Sequence, residues 1–96
     1  MQRIDVKAAV AAAFDYLDFL QDKISSELQE VRLEEVELSE DKNYWLITLG
    51  YDVPIKNQTT FEKVLTSYSP SFKREYRLFK VDSENSQVES MKIRKI

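Results

Sequence analysis

The sequence predicts an α+β fold, one long N-terminal helix packed on a four-stranded antiparallel meander sheet. Three observations carry that prediction. Apolar residues recur at helical spacing from Val6 to Leu28. Later stretches, YWLITLGYDV (Tyr44 to Val53) above all, alternate with the period of two that a strand imposes on its side chains. Short polar segments of hairpin length, SEDKN (Ser39 to Asn43) and DSENS (Asp82 to Ser86), separate the alternating stretches in pairs.

The helix is expected from about Asp5 to about Leu28. Asp5 is a suitable N-cap, with Ile4 before it as a staple residue. Val6, Val10, Ala13, Leu17, Leu20, Ile24 and Leu28 form one apolar stripe, and neither Gly nor Pro interrupts it. Such a helix is on the order of 35 Å long, about the length of a ten-residue strand at roughly 3.4 Å per residue. It can therefore cover one face of a sheet. Asp15, Asp18 and Asp22 lie on its solvent side. A carboxylate triplet attracts hard cations, but no loop is placed to complete a coordination shell, and a solvated face is the simpler explanation. Phe19 falls roughly opposite the apolar stripe, which makes it a candidate contact for a partner.

Strand one holds Val31, Leu33, Val36 and Leu38 and ends at Ser39; its alternation slips at Glu34-Glu35, the sequence mark of a β-bulge. Strand two is Tyr44 to Val53, stopped by Pro54. Trp45, Ile47, Leu49, Tyr51 and Val53 share its core side. Tyr44, Leu46 and Thr48 share the other, where Gly50 opens a gap that suits a bulge or the close approach of another backbone. Both sides are apolar enough to predict a central strand covered on each face. Ile55 to Ser71 is a long connection; Thr59 or Thr60 could cap a short helix through Phe61, Val64 and Leu65, and Phe61, Leu65 and Tyr68 could fold over the second sheet face. Strand three is Phe72 to Val81, with Phe72, Tyr76 and Leu78 on one face and Phe79 and Val81 on the other. Strand four runs from Gln87 to about Lys95, with a second slip near Ser90.

The length, 96 residues, suits a single domain over residues 1–96 with one core. Histidine and cysteine are both absent. That removes the commonest general base, the usual nucleophile–base triads, disulfides and thiolate metal sites. With a single glycine there is no phosphate-cradling loop. A non-enzymatic chain is expected, with no catalytic residue, cofactor or metal ligand. No apolar run reaches the roughly 20 residues of a membrane span, and Asp5, Asp15 and Asp18 make the N-terminus a poor signal peptide. The expectation is a small soluble domain in the cytoplasm with no membrane partner.

Net charge is −3, but its sign is uneven. Residues up to Ser71 carry 7 basic and 13 acidic side chains, and those from Phe72 onward carry 7 basic and 4 acidic. Lys73, Arg74, Arg77 and Lys80 interleave with Phe72, Tyr76 and Phe79, a pattern that can bind nucleic acid. The acidic first strand, with Glu30, Glu34, Glu35 and Glu37, is an internal counterpart, and a pI near 5.0 argues against a polyanionic partner. Mutual neutralisation of acidic and basic strands within one sheet is the favoured expectation.

The stretch REYRLFKVDSENSQVESMKI, an aromatic-aliphatic strand, an acidic turn and a returning strand with Val and Met, resembles the cystatin-like folds and the PepSY-type small domains among them. The resemblance implies the helix-plus-meander fold over most of the chain and, for the PepSY type, a protease-modulating role. Ser86-Gln87 stands where those domains often carry a turn glycine, and the cystatin Gln-x-Val-x-Gly hairpin is not found between strands two and three. The function expected from the residues is a protein-interaction or assembly domain that self-associates. Phe19, Tyr44, Leu46, Tyr68, Tyr76 and Leu78 are the candidate partner-binding residues. The alternative is a small apolar ligand in a pocket between helix and sheet, lined by Trp45 and Tyr51.

Overall fold

A computed structural model describes residues 3–24, 28–54 and 72–95. Val6–Ile24 forms α1, followed by β1 (Gln29–Leu38), β2 (Tyr44–Pro54), β3 (Phe72–Asp82) and β4 (Val88–Ile93). The strands pair antiparallel in the order β1-β2-β3-β4, and α1 packs on one face of that meander, chiefly on β2 and then on β3 and β4. The expected fold class is the observed one. The connection from Ile55 to Ser71, with Tyr68 and the short helix expected there, lies outside the described residues.

The Asp5 carboxylate caps α1 by accepting the Ala8 amide at 2.9 Å. The buried line of the helix is Ala9, Ala13 and Leu17, one turn apart, and Val6, expected in the core, is exposed. The helix rests on its smallest side chains, which lets its backbone approach the sheet closely. Leu28, the expected end of the helix, is not helical. Leu28 packs against the core from outside the helix.

β2 supplies the centre of the core. Ile47, Leu49, Tyr51 and Val53 are buried beneath α1 together with Phe79 and Val81 of β3, each fully buried aliphatic contributing roughly 1.5–3 kcal/mol. Tyr16 meets Phe79 edge-on, with ring centroids 6.2 Å apart and planes at 79°. Trp45 is only half-buried at the end of this row, its indole N–H donating to the Ile4 carbonyl at 3.2 Å.

Both slips in alternation are register shifts. Leu33 pairs with Leu49 and Glu35 with Thr48, leaving Glu34 as the extra residue. Leu33 and Val36 therefore both face the helix side despite their odd spacing. In β4 the shift falls between Val88, opposite Val81, and Ser90, opposite Lys80, so Val88 and Met91 both reach the core. β1 starts at Gln29, before the expected Val31, and ends at Leu38, one residue early, while β4 spans only Val88–Ile93, shorter than expected.

The hairpin ends of the sheet and the N-terminal segment are clasped by one residue. Buried Ser83 donates its amide to the Asn43 carbonyl at 2.9 Å and accepts the Ile4 amide at 2.6 Å. Its hydroxyl donates to the Lys42 carbonyl at 2.9 Å. Two turn residues, Lys42 (φ 62°) and Ser86 (φ 65°), sit in the left-handed region. Ser86 occupies the position where a turn glycine would relieve that conformation.

Candidate interaction surfaces

The sheet face away from α1 gathers the even-numbered residues of β2 and β3. Register places Tyr44, Leu46 and Thr48 beside Asp82, Lys80 and Leu78, and Gly50 beside Tyr76. Four of the candidate residues, Tyr44, Leu46, Tyr76 and Leu78, are thus brought together, all of them half-buried. Phe19 is apart from them on the helix, 80% exposed.

Charged side chains cross this far face. Arg74 donates to Glu34 at 2.7 Å, to Asp52 at 3.2 Å and to the Glu30 carbonyl at 2.8 Å. Arg94 reaches over β3 to donate to Glu35 at 2.8 Å and to the buried Thr48 hydroxyl at 2.6 Å. Lys80 lies 4.1 Å from the centre of the Tyr44 ring. The acidic first strand and the basic later strands neutralise one another here, as the charge pattern predicted. Burial works against the charge of Arg74, but its bonds to Glu34 and Asp52 outweigh that and raise its pKa. The Glu35 carboxylate raises that of Arg94.

Gly50 belongs to this network, and the expectation for it needs correction. β2 has no bulge at Gly50. The close neighbour is an ion pair and not another backbone: a Cβ built on Gly50 would stand 2.9 Å from Glu34 Cγ and 3.1 Å from an Arg74 guanidinium nitrogen.

On the helix side the cover is incomplete. α1 lies over β2, β3 and β4; on β1, Val31 packs against the core while Leu33 and Val36 are left open, at 43% and 38% exposure. A groove of about 160 Å³ is lined by Phe14, Leu17, Asp18 and Gln21 of α1 with Leu28 and Val31. Neither Trp45 nor Tyr51, the residues expected to line a pocket, belongs to this groove. Tyr51 is buried and its hydroxyl accepts the Arg77 Nε–H at 2.8 Å. The exposure of Leu33 and Val36 follows from where the helix lies, which strand alternation does not encode.

Asp15, Asp18 and Asp22 are all exposed. Among the described residues no three Asp, Glu, His or Cys side chains are grouped to hold a metal ion, and no helix is long and apolar enough to cross a membrane. The chain matches no protein-family model, no curated protein and no solved structure at a significant level.

Proposed function

We propose that this chain is a non-enzymatic protein-interaction module that self-associates through the uncovered helix-side flank of β1. The observation that carries this is the pair Leu33 and Val36, open to solvent on the helix side of an edge strand whose Val31 lines an apolar groove. Contiguous exposed apolar surface on an otherwise charged chain commonly marks a protein interface.

Groove size separates this reading from a ligand-binding one. Sites for drug-sized molecules hold roughly 300–1,000 Å³, whereas this groove offers about 160 Å³. That is room for one or two apolar side chains, the kind of pocket that receives an anchor residue from a protein partner. The far face is the weaker contact surface, since it carries Arg74 and Arg94, both already held by carboxylates.

The test is solution mass by light scattering over a concentration series, for the native chain and for Leu33→Asp/Val36→Asp. Both side chains are already partly in water, so the variant retains its fold by circular dichroism. A native mass that rises to a dimer, with a variant that stays monomeric, supports the proposal. A native chain that remains monomeric throughout, or a variant that dimerises equally well, rejects it.

A further inference from the structure

We infer that the open outer edge of β3 binds an extended acidic segment of a partner protein by strand addition. β4 pairs with Arg77 to Val81 only, and the Arg94 amide adds one more bond, to the Tyr76 carbonyl at 3.0 Å. From Phe72 to Glu75, β3 is paired with β2 on its inner side and has no strand on its outer side among the described residues. Alternate residues of an antiparallel strand turn their N–H and C=O groups toward the same neighbour. Since Tyr76 bonds toward β4, the backbone groups of Arg74 and Phe72 point outward along the same edge. Unpaired groups of this kind are a template for an incoming strand.

The chemistry around that edge selects the incoming sequence. A cleft of about 430 Å³ lies where β4 would continue, lined by Lys73, Arg74, Arg77, Arg94 and Lys95 with Glu75 as its one carboxylate. Arg74 and Arg94 are engaged with Glu34, Asp52 and Glu35. Lys95 has no carboxylate within ion-pair distance among the described residues, Arg77 has none either and gives only its Nε–H, to the Tyr51 hydroxyl, and Lys73 meets only the exposed Glu75 at 3.4 Å. The positive excess is therefore available to a ligand. Ile93, 68% exposed at the end of β4, offers an apolar contact in the same cleft. Open backbone groups together with cations fit a polypeptide bearing carboxylates; a nucleic acid would use the cations and leave the amides unpaired. The chain's own acidic strand is a poor occupant, because β1 is broken by two register shifts and by a left-handed Glu30 at φ 54°. This edge lies on the opposite side of the sheet from β1, so the inference stands apart from self-association.

The experiment is fluorescence anisotropy of the native chain with a labelled ten-residue peptide alternating Glu with Val or Thr. Two further probes are the same peptide with Pro at its centre and a single-stranded oligonucleotide of equal charge. Saturable binding of the acidic peptide is expected, at least tenfold weaker for the proline peptide and for the oligonucleotide. Lys73→Glu/Lys95→Glu, both exposed positions, should weaken peptide binding at least tenfold with an unchanged melting temperature. Peptide should also slow hydrogen exchange at the Phe72 and Arg74 amides. No saturable binding, equal binding of the proline peptide or the oligonucleotide, or unaltered exchange at those two amides would overturn the inference.

Discussion

Gly50, Ser83 and Asp41 show how much single residues decide in this chain. The only glycine is kept small by an ion pair, since the Glu34 and Arg74 side chains occupy the space a Cβ would need. Gly50→Ala should cost about 1 kcal/mol through loss of that partly exposed pair. In a Glu34→Ala background the same change should be neutral or stabilising, because alanine is the better strand residue. Denaturant titration of the four-member cycle reads the difference. Ser83→Ala removes a buried hydroxyl bond to the Lys42 carbonyl and should cost about 1–2 kcal/mol. Asp41 is held below the ordinary carboxylate range by the Ser39 hydroxyl and then by the Asn43 amide. A lowered folded-state value means its contribution to the first hairpin is complete above the ordinary carboxylate pKa and is lost as pH falls through the lowered one. An NMR titration should show the Asn43 amide shifting with Asp41 at a pH below that of exposed aspartates. Gly50 stood out in the sequence as the single gap in an apolar strand. Ser83 did not, because a serine in a polar turn looks the same whether exposed or buried.

At the level of elements, helix, strands and two of the three register shifts were legible because each has a local signature: 3.6-residue spacing, alternation, and a slip in its phase; the shift between Gln29 and Arg32 was not. What was not legible is how the helix rotates and where it lies. The stripe from Val6 to Leu28 places Ala13 and Leu17 in the core, as observed, but it includes Val6, which is exposed, and leaves out Ala9, which is buried. Helix rotation is chosen by the sheet it meets, and here it buries Ala9 and Ala13 completely in the cluster that holds Ile47, Leu49 and Tyr51. Ala13→Leu should therefore overpack the core and cost about 1–3 kcal/mol, measurable as a lower midpoint in urea. Trp45→Ala should cost less than the roughly 3–5 kcal/mol of a fully buried ring, since the indole is only half-buried.

The whole molecule is a sheet with two unlike faces and two unlike edges. One face carries the core, and the other carries an ion-pair network from β1 to the end of β4, which absorbs the uneven charge of the sequence. One edge strand, β1, is acidic, bulged and apolar on its helix side; the other edge is basic and incomplete. The candidate residues Tyr44, Leu46, Tyr76 and Leu78 share one face as alternation indicated, but the ion pairs that cross that face depend on cross-strand registry, and registry spanning 46 residues, as between Arg94 and Thr48, leaves no local mark in sequence. The most direct test of the proposed contact surface is to follow methyl and aromatic NMR signals of the native chain on dilution. The proposal predicts that signals of Leu33, Val36, Val31 and Phe14 shift together with the monomer–dimer equilibrium while Leu46 and Leu78 stay fixed. Shifts confined to Leu46, Tyr76 and Leu78 would place the contact on the far face and contradict it.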